Sequence, residues 1–516
     1  MGFIDEMKET LDEEFNLAMT ENGAIGYRST GRELLNLSYS VSSLRRRSAE
    51  YICDRFSAAF FAEKVNTLRW LFYAADVREG LGERRLFKII LRHLGNTEPK
   101  IAEALIPLVP EYTRWDNLFC LFDTRVGVCA LDFIKKQLDA DIAARRAGKS
   151  VSLLAKWLPS PNAHSDESRG YSRIIMKHLG LSNAEYRRLL ADLRSHMGVI
   201  ESVMSRGAFG EINYEAVPSK ANVLYRKAFL RRDTERRREF LGKLARGEAK
   251  INSGVLFPHD IVRAYAADDW FGNLLPEDEA LEALWRGLPD YVQGRGGTLC
   301  VCDCSGSMYI TVDPKARTRA VQVAIALAVY CAERLGGEFH DKFINFSDTP
   351  ELVDLSPAKS LRDKIGITKS HALVASTNIE AVFDLILATA IKSGMKQEDL
   401  PKSILILSDM EFNEAVVSNE SRDVPDFNFK TLFAIIGERY ESHGYSLPRL
   451  IFWNIASRSL TVPVKENKHG VALVSGFSPA ALSAVFSGKL DAYECLLEQI
   501  SVERYLPVER AVEGLV

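Results

Sequence analysis

Apolar residues recur at helical spacing through much of the front of the chain. This pattern predicts helices at Ala62 to Tyr73, Arg84 to Leu94, Lys100 to Leu108, Cys129 to Leu138, Ser172 to Leu179 and Asn183 to Leu193. Breakers divide them at short intervals: Gly80-Leu81-Gly82, Gly95-Asn96, Pro107, Pro110, Pro159-Ser160-Pro161 and Gly180. Nothing in this half alternates as a sheet does. Each such helix must cover its apolar stripe against a neighbour, so stacked antiparallel pairs of the HEAT type are expected, with a generic helical bundle as the alternative.

The pattern changes beyond Gly294 to Gly297, which reads as a joint between two halves. Short apolar runs at Leu299 to Cys302, Phe339 to Phe346, Ser403 to Leu407, Leu450 to Asn454 and Val471 to Ser475 predict strands. Helices are predicted at Arg317 to Leu335, apolar almost all round and therefore buried on both sides, and at Thr431 to Ser442. Alternation of this kind builds a doubly wound parallel sheet, whose ligands gather at the carboxyl ends of the strands. The expected class is multidomain: α-helical repeats followed by an α/β domain.

Length adds that 516 residues exceed a single core. A net charge of −3 conceals an asymmetry, since residues 1 to 296 hold 44 Lys+Arg against 41 Asp+Glu while the remainder holds 22 against 28. Within residues 201 to 250 the balance is 12 basic to 7 acidic, so a basic patch is available for a polyanion. The first residues carry acids early and lack a basic-then-apolar leader, and no run approaches the roughly 18 apolar residues of a membrane span. A cytoplasmic location without a membrane partner is expected. The eight cysteines show no disulfide framework or C-x-x-C spacing, and Cys300, Cys302 and Cys304 read as small buried hydrophobes.

Chemistry concentrates at Leu299 to Met308, LCVCDCSGSM. The apolar strand ends at Asp303, and Ser305 and Ser307 follow around Gly306. One carboxylate and two hydroxyls on a tight turn are hard oxygen donors suited to Mg2+ or Mn2+. The bland alternative is a cap on the following turn. The pattern resembles the metal-ion-dependent adhesion site of the von Willebrand factor A fold. That resemblance implies a completing Thr and Asp, matched here by Thr377 ahead of an apolar-periodic segment and by Asp409 after the strand at Ser403 to Leu407. Met410 stands where that family often has Gly.

Further stretches are TENGAIGYRSTG at 20 to 31, DVREGLGER at 76 to 84, VPEYTRWDNL at 109 to 118, LLAKWLPS at 153 to 160 and VPSKANVLYRKAFLRRD at 217 to 233. With DCSGSM, LSDMEF, IFWN and VSGFS they resemble an uncharacterised family of plants, fungi and viruses from about residue 20 onward. The plan is similar to that of the TROVE-module Ro autoantigens, which bind small noncoding RNAs. The implied organisation is an N-terminal segment over 1–19, a TROVE- or HEAT-like helical region over 20–296 that could close into a ring, and a von Willebrand A-like domain over 297–516.

Two functions from different classes follow. In the first, the protein is a Ro-like ribonucleoprotein component that binds small noncoding or misfolded RNA. Its contacts would be Arg226, Lys227, Arg231, Arg232, Arg236, Arg237 and Arg238, interleaved with aromatics, together with the knot Arg45, Arg46 and Arg47 and the loop-flanking Arg206 and Lys220. On a single helix from Ala221 to Leu241, Lys227, Arg231 and Arg238 would share one face and Arg232 and Arg236 another. Asp233, Glu235 and Glu239 could instead pair with these arginines on a solvated face. In the second, the metal captures a carboxylate of a protein partner, alone or beside an ATPase chaperone. An enzyme is not expected: no G-x-x-x-x-G-K-S/T loop accompanies the metal motif, and His371, His340 and His443 read as loop or boundary residues.

Overall fold

The structure, a computed structural model, describes residues 15–266, 273–313, 317–346, 349–372, 377–414, 430–486 and 489–516. Most of the expected N-terminal segment, residues 1–14, and Ser376 beside Thr377 lie outside them. The chain packs as two compact units, a helical one and one built on a mixed sheet.

The helical unit comprises Ala49–Phe60, Lys64–Val255 and Val502–Val516. Its predicted helices form, among them Lys64–Ala75, Arg84–Thr97, Gly127–Arg146, Asp166–Leu179 and Asn183–His196. Local signals set their ends. Gly180 adopts φ +67° just past Leu179, and Ser182 and Glu185 exchange the two hydrogen bonds of a capping box before Asn183. Trp70, Leu71 and Phe72 of Lys64–Ala75 and Phe87, Ile90 and Leu91 of Arg84–Thr97 are buried, with the Phe72 and Phe87 rings edge to face at 5.4 Å. The C-terminal helix Leu506–Ala511 returns to pack on Lys64–Ala75. Tyr505 stacks on Tyr112, and the wholly buried Asp76 pairs with Arg504.

A single helix from Ala221 to Leu241 does not form. The chain makes Ser219–Arg232, breaks at Asp233 and restarts as Thr234–Ala245. At the break the Asp233 carboxylate accepts the Tyr214 hydroxyl and an Arg236 N–H, each at 2.9 Å. The bend lets Phe229 meet the Tyr214 ring edge to face and Phe240 stack on it, each with centroids 5.5 Å apart, burying a separate apolar cluster that one straight helix would leave open.

The sheet unit comprises Met1–Ser48, Phe61–Glu63 and Leu256–Ser501. Its described strands are β1 (Leu17–Met19), β2 (Ile25–Tyr27), β3 (Thr298–Asp303), β4 (Thr311–Asp313), β5 (Thr318–Arg319), β6 (Lys342–Phe346), β7 (Glu351–Asp354), β8 (Ser403–Ser408), β9 (Arg449–Asn454) and β10 (Val471–Ser475). The main sheet runs β10-β9-β8-β3-β6-β7, parallel except for the β6–β7 hairpin at one edge. It is therefore mixed, not purely parallel. Every residue of β3 and β10 is buried, the continuous apolar burial of a sheet covered on both faces. Helix Ala320–Arg334 is buried from Ala320 to Ala332, as its all-round apolar pattern requires, between β3 and helix Pro258–Tyr265.

The small hairpin β1–β2 was not visible in the apolar pattern, since each strand has only three residues. Gly294 to Gly297 is bonded into this unit: Gly294 N–H donates to Arg334 O, and Gly297 O accepts from Lys402 and Ser403. Among the described residues no helix is long and apolar enough to cross a membrane.

Candidate metal site at the strand ends

Asp303 and Asp409 meet because β3 and β8 are parallel neighbours in register, Cys302 lying beside Leu407. Asp303 is the last residue of β3, and Asp409 follows the last residue of β8. Both carboxyl groups and Ser305 are fully buried, while Ser307 is partly open to solvent. Asp303 accepts the Ser305 N–H at 2.9 Å on one oxygen and the Ser408 hydroxyl at 2.6 Å on the other. The Ser305 and Ser307 hydroxyl oxygens are 2.9 Å apart. Asp409 Oδ1 accepts the Glu411 N–H at 3.2 Å. Its Oδ2 is buried without a hydrogen bond, and the nearest cation, the Arg458 guanidinium, stays 3.8 Å away.

Thr377, also buried, starts the loop into helix Ile379–Ser393, whose N-terminus Asn378 caps by accepting the Ala381 N–H. Its carbonyl accepts the Asn413 N–H at 3.1 Å, which ties it to the loop following Asp409. Met410 adopts φ +64°, the left-handed conformation Gly would take without strain, and its N–H donates to Ser408 Oγ.

Electrostatics mark the pair as strained. Burial pushes the Asp303 carboxyl above the ordinary carboxylate range. Burial, and then the charge of Asp303, push Asp409 up as well, with Ser307 and the Glu411 N–H opposing the rise. Two buried carboxyls, one with an orphaned oxygen, beside serine hydroxyls make an oxygen donor set that a hard divalent cation would satisfy. Among the described residues no group of three or more His, Cys, Asp or Glu side chains is placed to hold a metal, so any ligand set here is mainly hydroxyl.

A pH effect follows. The folded carboxyls hold their protons to higher pH than in the unfolded chain, where they ionise near about pH 4. As pH rises through the interval between, the folded state carries more protons and stability falls. Metal-free protein is therefore expected to lose urea resistance from about pH 4 toward neutrality, and Asp303→Asn should flatten that slope. Identical profiles for both proteins would show that the pair is not strained.

The loop after Asp409 is anchored through Glu411, which sequence reasoning did not single out beyond its place in LSDMEF. Its buried carboxyl accepts N–H donors from Glu21 (2.9 Å), Arg458 (2.6 Å) and Ser459 (2.8 Å), and the Ser457 and Ser459 hydroxyls. Thr20 Oγ1 donates to Phe412 O and Asn22 Nδ2 to Glu411 O, so the start of the chain is laced along this loop.

The basic residues expected to meet RNA fall in both units, Arg45, Arg46 and Arg47 in the sheet unit and the others in the helical unit. Arg45 lies over the Phe477 ring, its guanidinium 3.4 Å from the centroid, and Arg47 donates to Arg458 O at 2.7 Å. Arg46 is near enough to Arg458 and Asp409 to feel both charges. In the helical unit Arg237 is buried against the Tyr214, Phe229 and Phe240 rings and donates to Asn222. Arg236 is spent on Asp233 and on the Phe209 and Ile212 carbonyls, Arg206 pairs with Glu211, and Arg226 donates to Val223 O. Lys220, Lys227, Arg231, Arg232 and Arg238 are exposed. His371 Nδ1 sits 2.8 Å from Glu351, and His340 and His443 bond to local carbonyls, all as loop or boundary residues. Cys300, Cys302, Cys304 and Cys331 are buried free thiols, and burial pushes those of Cys300 and Cys331 up.

Fold and site together describe a helical unit joined to a mixed-sheet α/β unit with an oxygen-rich cluster at the carboxyl ends of two neighbouring strands. Residues 128–297 match the family model described as "Domain of unknown function (DUF2828)", and residues 297–505 match "Domain of unknown function (DUF7788)". The chain is also similar to "Uncharacterized protein L728" of Acanthamoeba polyphaga mimivirus, 26% identical over 514 residues that cover 92% of this chain and 85% of the viral one.

Proposed function

We propose that residues 297–516 act as a von Willebrand A-like interaction module in which Asp303, Ser305, Ser307, Thr377 and Asp409 hold Mg2+ or Mn2+. Bound there, the ion supplies residual positive charge and an open position for a carboxylate from a protein partner. The observation that carries this reading is the orphaned, buried Asp409 Oδ2 beside the buried Asp303 carboxyl. A buried acid pair with one unsatisfied oxygen is costly, and a cation would lower that cost.

Calorimetry with Mn2+ tests the reading, with an expected stoichiometry of about one ion per chain. Mn2+ at a hundred times its dissociation constant should stabilise the sheet unit by about 2.7 kcal/mol, and EDTA should reverse the shift. No heat and no thermal shift would sink the proposal.

A second reading, a Ro-like RNA-binding protein with HEAT-like repeats, is favoured by the exposed Lys220, Lys227, Arg231, Arg232 and Arg238. Salt and chelator separate the two. RNA retention should weaken steeply with salt and survive EDTA, whereas carboxylate capture should do the reverse.

A further inference from the structure

Helix Asn183–His196 and the loop Leu158 to Asn162 enclose an open groove of about 500 Å3 in the helical unit. Arg187, Arg188 and Arg194 line it with Ser160 and Asn162, and Leu190 contributes to an apolar floor. None of its described lining residues is acidic. The groove includes no residue of the metal site and none of the cations considered above for RNA.

Arg194 shows why this place is unusual. Its guanidinium donates to Ala155 O (2.9 Å), Ser160 Oγ (3.1 Å) and Leu158 O (2.7 Å), all neutral acceptors. The geometry is satisfied but the charge is not. Partial burial accordingly disfavours its charged form. Arg187 and Arg188 stand exposed one to two turns earlier on the same helix. Two carboxylates are near in sequence. Glu185 is held by the Ser182 N–H and hydroxyl and offsets Arg188 in part, and Asp192 pairs with Arg145.

We propose that this groove binds the phosphate of a nucleotide, either free or within an RNA strand. Guanidinium forks match the several oxygens of a phosphoryl group, and three cations exceed what a single carboxylate requires. The volume is that of a small-ligand site, and the apolar floor leaves a surface for the sugar or base.

The probes are AMP and a short oligouridylate, titrated calorimetrically into the full chain at low salt. The wild-type protein should bind at least one, and Arg187→Gln with Arg188→Gln should weaken binding about tenfold or more with an unchanged circular dichroism spectrum. Both residues are exposed, so the fold does not depend on them, whereas Arg194 is left intact because it holds the loop. Tighter binding of the oligouridylate, with a salt slope that the double variant lowers by about 1.4, identifies a strand as the source. Equal affinity for AMP identifies a free nucleotide. Absence of binding to both probes, unchanged affinity in the double variant, or binding of a phosphoserine peptide alone would overturn the proposal.

Discussion

Asp303→Asn is expected to cut Mn2+ affinity by more than about a hundredfold, because loss of a mere outer-shell partner already costs roughly ten- to a hundredfold. The substitution removes one of the two anions while keeping the shape. An Asn oxygen can still accept the Ser305 N–H, and its amide can donate to Ser408 Oγ, which itself accepts from Met410. Fold and local geometry should persist. Metal-free stability near neutral pH should rise by on the order of 1 kcal/mol, since a buried charge that repels Asp409 is gone. The two results oppose each other: the variant binds worse and, without metal, stands better. Calorimetry with Mn2+ and urea melts in EDTA measure both. Unchanged Mn2+ affinity would remove Asp303 from the site, and lowered metal-free stability would mean the carboxyl is structural.

Glu411→Ala should produce the largest loss of stability, about 3 kcal/mol or more in the sheet unit. Three backbone N–H groups and two hydroxyls converge on this one carboxyl, and alanine leaves the N–H groups of Glu21, Arg458 and Ser459 without an acceptor. The damage should be directional. Since Glu21 is among the donors, the segment from Asn16 to Ser48 should become a site of proteolytic cutting before the rest of the unit. Glu411→Gln keeps one carbonyl acceptor and should fall between the two. A melting temperature and a digestion pattern like those of the wild type would show that water replaces the carboxyl at little cost.

Much of the sheet unit was legible because buried parallel strands advertise themselves as continuous apolar runs. Thr298–Asp303, Ser403–Ser408, Arg449–Asn454 and Val471–Ser475 fall within a residue or two of their apolar stretches. Lys342–Phe346 starts later than its run suggests, because Gly337 to Phe339 turns as a short 3-10 helix first. The pairing of Asp303 with Asp409 was implied by the resemblance to the adhesion site, and both residues fall at the ends of predicted strands. What stayed hidden depends on partners far away in the chain. Periodicity reports one segment's faces and says nothing about Glu411 receiving Glu21, or Arg47 reaching Arg458. The break at Asp233 was hidden for a different reason: between Ser219 and Ala245 helix propensity is weak at Asp233-Thr234 and at Gly242, and the packing of Phe229 and Phe240 on Tyr214 is what selects a bend at the first of them.

The lacing of Thr20, Glu21 and Asn22 onto residues near 411, across about 390 positions, also sets a timetable. At about 5–20 residues per second, a ribosome needs roughly 20–80 seconds to deliver the partners of these first residues. Leu34, Leu35, Leu37, Val41 and Leu44 are all buried in the finished unit, and helix Glu33–Tyr39 packs on β10, farther along the chain still. Burial of this stretch therefore waits on strands that are synthesised several hundred residues later.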